Sequence, residues 1–510
     1  MANRAAALFA RAASEPDRIA IVGDSQTLSY GALAEAVTQA AGALAARGVG
    51  PGAHVGLMMP SRPEFIVLQQ AVFALGAVFA PLNIFYRPGE VAHAVRVCEI
   101  DTLILADELA DRRPGEEDGE TPSLRALLSV ETLMAEAASA IPLRTLAPVA
   151  PADPVMLLQT SATTGKSKGV VLTAANLAAN YDSTPGWLGL SGADTILCAL
   201  PLYNTFGLNQ CINAMLHTGA KLVILPRFDA ARVIATAQAE RCTFMPAVPT
   251  MLQKIIDEPS LAPGSLATIR RIMTGGAPVP APLLARVLSV IAKDAQVLTG
   301  YGLTEASALV TVTPVRLGPD GELENGNTIG KVLTGMELAV ADDDGVLQPP
   351  GTTGEFVIRG PNIMAGYHRD PEQTAAAIRS GWLHTGDIGY VAADGYAYIV
   401  DRKKDLIIRG GQNIYPADIE EALYRVPGVA EAAVVGEADD MLGEVPVAWV
   451  APAPGAVLDA DMLAAQCKAD LAPYKQPRLF HIVRELPKGP TGKILRRALR
   501  GVDPATLGGV

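Results

Sequence analysis

Cysteine, aromatic and charged residues are all scarce in this sequence of 510 residues. There are five cysteines, aromatic residues make up 5% of the chain and charged residues 18%. Because the cysteine number is odd, the spacing is wide and no CxxC pair occurs, we exclude a disulfide framework and a thiolate metal site. We expect small buried cysteines and a cytoplasmic location, where thiols stay reduced.

Basic and metal-binding patterns are also missing. The net charge is −12, and no basic run is longer than a few residues. The sequence therefore argues against a general nucleic-acid binder. The six histidines are scattered and none shows HExxH spacing, so no structural metal is implied.

A long apolar run is absent, although the mean hydropathy is +0.25. The best run, residues 71–86, is interrupted by Pro81 and falls short of the roughly 20 residues that a transmembrane helix needs. Glu15 and Asp17 follow the N-terminus early, where a signal peptide would have an apolar core. We expect neither an integral membrane segment nor a signal peptide.

What the chain does contain is an alternation of helical and strand patterns. Residues 18–23 and 54–59 are typical of strands, and apolar positions three and four apart predict a helix over 28–49. This predicts an α/β fold with parallel or mixed sheets covered by helices. The stretch 337–360 predicts short strands joined by Asp-Gly and Pro-Gly turns, which indicates a β-rich sub-domain.

The pattern changes again after Ile414, where a helix and then a strand are expected. We predict a large N-terminal domain over residues 1–400. A small α+β domain is predicted over 401–510.

The segment QTSATTGKSKGVVLT (159–173) is the most informative in the chain. Hydroxyl groups and free backbone N–H groups can surround phosphate oxygens, and lysine supplies positive charge. A Walker A loop ends in the same Gly-Lys-Ser string but needs glycine at position 160, which is Thr160 here. The segment is thus either a different phosphate loop or an ordinary turn with surface lysines.

Four further segments have residues suited to nucleotide chemistry. LTGYGLTEAS (298–307) offers a Glu beside glycines, and a carboxylate next to a triphosphate is a natural Mg²⁺ ligand. In GWLHTGDIGY (381–390) a turn Asp can accept both ribose hydroxyls or satisfy its own backbone. VDRKKDLIIRGGQNIYP (400–416) and LPKGPTGKILRR (486–497) complete the set, and a lysine in the last is, alone, an ordinary surface residue.

Taken together, the five segments resemble the adenylate-forming (ANL) superfamily in order and spacing. This superfamily includes acyl-CoA synthetases, luciferases and peptide-synthetase adenylation domains, and the resemblance runs from residue 28 to residue 500. GAVFAPLN (76–83), AVPTML (247–252), TGGAPV (274–279) and GYHRDPEQT (366–374) agree with it.

The resemblance implies an AMP-forming acyl-CoA synthetase. Such an enzyme condenses a carboxylate with MgATP to an acyl-adenylate and pyrophosphate, and coenzyme A then displaces AMP. The alternative is a stand-alone adenylation enzyme that loads a carrier-protein phosphopantetheine. An oxidative, luciferase-like activity and a silent scaffold are weaker readings. We expect a small-molecule carboxylate and CoA or an acyl carrier protein as partners, and a monomer or homodimer.

The resemblance also implies roles for individual residues. The expected phosphate loop is Thr160, Ser161, Thr163, Thr164, Gly165 and Lys168. Gly276, Ala277, Pro278 and Tyr301 would hold the adenine, Asp387 and Arg402 the ribose, and Glu305 the Mg²⁺. Thr304 would touch the α-phosphate, and Lys493 would bridge the carboxylate and the α-phosphate during adenylation. Lys404 matches the family hinge, and Gly410 and Gly411 the CoA tunnel. The resemblance thus implies that domain 1–400 binds ATP and the acyl substrate and that the small domain 401–510 is mobile.

Several positions depart from the family pattern. Ala162 stands where glycine is usual and Ser167 where proline is common. Asn204 and Ala174 replace histidines of many acyl-CoA synthetases. Asn204, at the acyl pocket, either hydrogen-bonds a polar substituent of the acid or is a structural amide.

The expected acyl pocket is apolar, with Phe206, Val248 and Val310 beside Asn204. The corresponding segments have no lysine or arginine to pair with a second carboxylate, and position 204 has no aspartate to hold an amino group. We therefore expect a hydrophobic monocarboxylic acid, aliphatic or aryl.

Overall fold

The computed structural model describes residues 3–115, 118–160, 167–276, 279–318, 321–410, 412–489 and 494–508. Its α-helices are α1 Ala6–Ser14, α2 Tyr30–Ala45, α3 Pro63–Ala74, α4 Pro88–Cys98, α5 Val130–Ala137, α6 Ala174–Asn180, α7 Thr184–Trp187, α8 Thr205–Gly207, α9 Ala214–Thr218, α10 Ala230–Ala239, α11 Pro249–Ile256, α12 Ala281–Val290, α13 Pro371–Ala377, α14 Pro416–Tyr424 and α15 Ala460–Asp470.

The strands are β1 Ile19–Val22, β2 Thr27–Ser29, β3 His54–Met58, β4 Val78–Pro81, β5 Thr102–Leu105, β6 Ala126–Ser129, β7 Pro154–Thr160, β8 Lys168–Thr173, β9 Thr195–Cys198, β10 Lys221–Ile224, β11 Phe244–Ala247, β12 Arg271–Gly275, β13 Gln296–Gly302, β14 Leu309–Leu317, β15 Leu323–Glu324, β16 Gly330–Val332, β17 Glu337–Ala341, β18 Gly354–Arg359, β19 Gly366–Tyr367, β20 Ile378–Arg379, β21 Trp382–Val391, β22 Tyr396–Arg402, β23 Ile407–Arg409, β24 Gln412–Ile414, β25 Val429–Asp439, β26 Gly443–Pro452 and β27 Leu479–Ile482.

The largest sheet runs in the order β17-β18-β21-β22-β16-β14-β13-β12-β11-β9-β10-β1-β2, with β15 and β20 at its side. From β1 through β10, β9, β11 and β12 to β13 all neighbours are parallel. From β14 onward the pairing is antiparallel. In such sheets ligands bind outside the carboxyl ends of the parallel strands.

A second sheet has the order β19-β8-β7-β4-β3-β5-β6. Its strands β7 and β8 form an antiparallel pair in which Thr160 lies opposite Lys168. β19 pairs with β8 and so brings residues 366–367 to the phosphate-loop strands. One hydrophobic core fills the space between the two large sheets and their helices.

The third sheet, β24-β23-β26-β25 with β27, is small and separate. Sheet membership changes between β22, which ends at Arg402 in the largest sheet, and β23, which begins at Ile407. The α/β fold with a large N-terminal unit and a small C-terminal α+β unit is confirmed. The boundaries 1–400 and 401–510 stay a prediction.

Local sequence explains why several predicted elements form where they do. The predicted helix 28–49 is α2, whose Ser29 side chain caps it by accepting from Ala32 N at 3.2 Å. α3 and α14 both start with proline, whose fixed backbone suits a first helical turn. Within the described ranges, no helix is both long and apolar enough to span a bilayer.

Candidate active site

The chemistry-bearing segments of the large unit lie around the carboxyl ends of β12 and β13 and the β7–β8 pair. Several predicted residues fall outside the described residues: Ser161, Ala162, Thr163, Thr164, Gly165, Ala277, Pro278, Gly411 and Lys493. Thr160 and Lys168, which flank the expected phosphate loop, are half-buried at the ends of the paired strands.

Glu305 and Lys168 both contact Tyr367, one at its hydroxyl and the other over its ring. The Tyr367 hydroxyl donates to Glu305 Oε1 at 3.0 Å, and Lys168 Nζ lies 4.5 Å from the centre of the Tyr367 ring. Lys168 Nζ also donates to Gln373 Oε1 at 2.7 Å. The structure thus brings the predicted phosphate lysine and the predicted Mg²⁺ ligand together through a tyrosine.

Burial raises the pKa of Glu305, while the Tyr367 hydroxyl and the Lys168 charge act in the opposite direction. A buried carboxylate is costly unless a positive partner compensates it. Its oxygen donor suits Mg²⁺, which binds one or two carboxylates together with substrate phosphates. The residues present therefore fit a magnesium ion at Glu305.

Asp387 forms the second group of contacts in the site. Tyr301 Oη donates to Asp387 Oδ2 at 2.6 Å, and Arg402 Nε lies 3.1 Å from Asp387 Oδ1. Asp387 and Arg402 are direct partners across β21 and β22, so the sheet register places both predicted ribose ligands together. Burial and the neighbouring carboxylate raise the pKa of Tyr301, which keeps its hydroxyl protonated as the donor.

Gly300 and Gly302 allow β13 to lie close to the next strand. A Cβ on Gly300 would meet the Thr311 carbonyl oxygen, and one on Gly302 would overlap the Ala308 carbonyl oxygen. Neither glycine needs a positive φ, so close backbone approach is the reason for glycine at both positions. Gly276, by contrast, has φ +80° directly after β12.

The turn that contains Thr304 and Glu305 is strained. Residues Thr304–Ala306 form a 3₁₀ turn, and the next residue, Ser307, has φ +67°. Such backbone persists only where the surroundings hold it, and it is frequent at functional sites. Here Ser307 Oγ donates to Asn362 O at 2.7 Å, and Thr205 Oγ1 donates to Ser307 O at 2.6 Å.

Asn204 has a structural role at its carbonyl end. It precedes α8, and its Oδ1 accepts from Gly207 N at 3.0 Å, which caps this short helix. The sequence left open whether Asn204 hydrogen-bonds the acid or is a structural amide. Its Oδ1 is structural, because it caps the helix. Phe206, Val248 and Val310 all pack against the large core, with Val310 fully buried and the other two half-buried.

The predicted hinge residue Lys404 lies between the largest and the small sheet, whereas Gly410 directly follows β23 of the small sheet. Lys404 belongs to a 3₁₀ turn, Lys403–Asp405, and burial together with the Arg402 charge lowers its pKa. Gly410 has φ +57° and donates its N–H to Leu442 O at 2.7 Å. Its positive φ gives this position a reason to be glycine.

Sequence reasoning missed Tyr367 and Gln373 as site residues. Both belong to GYHRDPEQT (366–374), which was recognised as a family block without a role for its residues. A signal was present in the sequence, because this family block contains a tyrosine hydroxyl and a glutamine amide. Tyr367 lies in β19, which pairs with β8 of the phosphate-loop strands, and Gln373 follows in α13.

The family is decided by comparison with known proteins. The family model "AMP-binding enzyme" matches residues 8–368, and "AMP-binding enzyme C-terminal domain" matches residues 418–493. The chain belongs to the AMP-binding enzyme family. Family membership agrees with the predicted adenylate-forming resemblance.

Individual relatives are similar over nearly their whole length. The feruloyl-CoA synthase of an Amycolatopsis species is 36% identical over 96% of this chain and 97% of that protein. ATP-bound MatB from Rhodopseudomonas palustris superposes with a TM-score of 0.89 at 29% identity, covering 98% of each chain. The Bacillus subtilis o-succinylbenzoate CoA synthetase, solved with ATP and a magnesium ion, gives 0.84 at 31%, covering 97% of this chain and 98% of that one.

This AMP-binding enzyme is an AMP-forming acid–thiol ligase. It activates a carboxylic acid with ATP and then forms a thioester with coenzyme A. A free carboxylate is a poor electrophile, and its conversion to a mixed anhydride with AMP creates a good leaving group. Positioning and charge neutralisation, rather than a protein nucleophile, therefore determine the rate.

Proposed function

We propose that this ligase activates a hydrophobic monocarboxylic acid, aliphatic or aryl, as its CoA thioester. The observation that carries the proposal is the pair of contact groups Lys168–Tyr367–Glu305 and Tyr301–Asp387–Arg402. The first group joins the predicted phosphate ligand Lys168 to the predicted magnesium ligand Glu305. The second joins the predicted adenine and ribose ligands. The apolar surroundings of Phe206 and Val248 support an apolar acid, as does similarity to an enzyme named for the aryl acid ferulate.

In this proposal the nucleotide is held by the residues that the family resemblance assigns. Tyr301 stacks on the adenine while its hydroxyl holds Asp387, whose carboxylate accepts from the ribose. Thr160, Lys168 and Thr304 contact the phosphates. The roles of the residues that lie outside the described ranges are proposed on sequence alone: Ser161, Thr163, Thr164, Gly165, Ala277, Pro278, Gly411 and Lys493.

Glu305 is proposed to hold the magnesium ion. When bound, magnesium neutralises charge on the phosphate oxygens. The Tyr367 hydroxyl holds the Glu305 carboxylate in place by its hydrogen bond. The positive charge of Lys168 lies over the ring of the same tyrosine.

The two half-reactions are proposed to use different faces of the small unit. Lys493 bridges the acid and the α-phosphate during adenylation, and a rotation at Lys404 then replaces it with the 405–413 segment. Gly410 and Gly411 line the path of the pantetheine arm, where the absence of a Cβ leaves room for a thin ligand. The units 1–400 and 401–510 are proposed as the two moving parts.

A cytoplasmic location is also proposed. All five cysteines are buried as free thiols, which fits a reducing compartment. Enzyme activity can be followed in an oxidising glutathione buffer. We expect activity to be lost only slowly, because buried thiols react poorly. Rapid, stoichiometric disulfide formation in the folded protein would contradict this location.

An exchange assay followed by thioester detection tests the function. Purified enzyme with MgATP and a panel of acids should exchange pyrophosphate with hydrophobic monocarboxylates and not with dicarboxylates or amino acids. Addition of CoA should then yield the acyl-CoA. Absence of exchange across the panel would refute the proposal, and transfer to a holo-carrier protein but not to CoA would correct the acceptor.

Lys493→Ala tests the proposed catalytic lysine. Loss of a charge that stabilises the transition state lowers adenylation by about 10²–10³-fold, whereas a pre-made acyl-adenylate should still react with CoA. Lys468→Ala, which removes an exposed lysine of α15, is the matched control and should behave as wild type. Normal adenylation by Lys493→Ala would remove this residue from the mechanism.

A further inference from the structure

His93 reaches from α4 to the residue that precedes β8. Its Nε2 lies 3.1 Å from Ser167 O, across 74 positions of the chain. Because a carbonyl oxygen only accepts, His93 is the donor, with a proton on Nε2. Ser167 O belongs to the peptide group that joins Ser167 to Lys168. The hydrogen bond from His93 therefore holds the backbone directly before the predicted phosphate lysine.

This hydrogen bond lies where the strand pairing ends. Thr160 is the last residue of β7, and it lies opposite Lys168, the first residue of β8. Within the part of the chain that the structure describes, Ser167 has no partner residue on a neighbouring strand. The ends of such elements open more readily than their centres. The contact with His93 thus adds a restraint at the end of β8 that lies next to the expected phosphate loop.

The helix α4 is a firmly packed support for His93. Val91, Ala94 and Val95 of this helix are fully buried, and they share an apolar cluster with Leu157 of β7. A side chain on a packed helix is positioned more precisely than one on a loop. His93 can therefore fix the peptide group that it contacts.

The end of α4 also lies against β8. A Cβ on Gly169 would stand 3.4 Å from the Sγ atom of Cys98, the last residue of α4. Gly169 directly follows Lys168 in the chain. The helix thus approaches the strand on both sides of Lys168, through His93 at Ser167 and through Cys98 at Gly169.

We propose that His93 is a positioning residue of the adenylation half-reaction. It acts through the peptide group between Ser167 and Lys168, and it holds Lys168 at the β- and γ-phosphates of ATP. The inference rests on the proposed function, because it uses the phosphate role proposed there for Lys168. A displaced backbone would move the Lys168 ammonium group away from Gln373 and Tyr367, which it contacts here. Small misplacements of a group that neutralises charge slow the reaction.

His93→Leu and His93→Gln test the proposal by pyrophosphate exchange at graded MgATP. Leucine removes the donor, so we expect kcat/KM for MgATP to fall by about three- to tenfold, as the loss of one hydrogen bond does. Glutamine has an amide N–H group about as far from the backbone as Nε2, so His93→Gln should retain most of the wild-type value. An unchanged value in His93→Leu, or an equal fall in both variants, overturns the proposal.

The second half-reaction distinguishes positioning from a general loss of folded enzyme. A pre-made acyl-adenylate has no β- or γ-phosphate, so Lys168 has no part in its reaction with CoA. We therefore expect His93→Leu to form the thioester from the adenylate at the wild-type rate. An equal fall in both half-reactions would show a merely structural role of His93 and overturns the proposal.

His54→Leu is the matched control. His54 is also half-buried, and its Nδ1 also donates to a backbone carbonyl, Cys98 O at 2.6 Å, but it does not contact Ser167. This variant should keep the wild-type kcat/KM for MgATP even where its melting temperature falls, and a fall equal to that of His93→Leu overturns the specific role of His93. Absence of exchange by the wild type with any acid would instead refute the proposed function, so the two failures are distinguishable.

Discussion

At the residue scale, Tyr367 contacts both the proposed magnesium ligand and the proposed phosphate lysine. Its hydroxyl donates to Glu305, and its ring lies next to the Lys168 ammonium group. A hydrogen bond to a charged acceptor stabilises more than one between neutral groups. Tyr367 therefore acts through Glu305 as a positioning residue.

Tyr367→Phe keeps the ring and removes only the hydroxyl. Hydrogen bonds to charged groups contribute about 1.5–3 kcal/mol, so we expect a fall of at least tenfold in pyrophosphate exchange and a higher Mg²⁺ concentration for half-maximal rate. The measurement is exchange at graded Mg²⁺. Tyr398→Phe, whose ring stacks on Tyr390 at 4.9 Å, is the control. An unchanged Mg²⁺ dependence in Tyr367→Phe would contradict the positioning role.

At the scale of elements, the glycines of LTGYGLTE are explained by how β13 and β14 pack. The two strands are antiparallel, and their register shifts between Tyr301 and Gly302. At Gly302 the chain turns towards Glu305 while the Ala308 carbonyl lies in the space of a Cβ. The motif thus allows a close backbone crossing that places Glu305 beside the β7–β8 pair.

Gly302→Ala should disrupt this crossing. The added methyl overlaps backbone, which cannot move without shifting β14, so we expect about 1–3 kcal/mol of destabilisation and loss of most exchange activity. Thermal unfolding and the exchange assay measure both effects. Gly186→Ala, at an exposed helical glycine with open space around it, should leave melting and activity near wild type. Wild-type activity of Gly302→Ala would show that the crossing is not needed.

At the scale of the whole molecule, charged groups connect the two sides of the predicted hinge. Arg496 lies 3.0 Å from Asp401 Oδ1, in β22 of the largest sheet, and 2.6 Å from Glu420 Oε2, in α14. Asp401 also accepts from Ala417 N at 2.8 Å, at the start of α14. These contacts hold β22 of the largest sheet to α14, on either side of the connection that contains Lys404.

Lys404→Pro tests the rotation. Proline fixes φ and restricts the preceding residue, so we expect pyrophosphate exchange to be largely retained and thioester formation to fall by at least tenfold. The two half-reactions are measured separately, with CoA added to pre-made acyl-adenylate for the second. Lys404→Ala, which removes the charge but leaves the backbone free, is the control. Equal loss of both half-reactions in the proline variant would place the hinge elsewhere.

Much of the fold was predictable because its signals are local. The helix predicted over 28–49 is α2, the strand predicted over 54–59 is β3, and the turns of 337–360 join β17 and β18. Apolar spacing, capping residues and turn residues act within a few positions of each other. The order of strands in the sheets was not predictable in this way, because pairing joins segments such as β8 and β19 that are far apart in sequence.

The reaction class was determined by the sequence itself, because five short motifs contain the residues that ATP chemistry requires in a recognisable order. Tertiary structure alone decided how those residues are held. Tyr367 meets Glu305 across 62 positions of the chain, and Tyr301 meets Asp387 across 86. Each of these depends on which side chains packing brings within hydrogen-bond distance, and no local pattern encodes that.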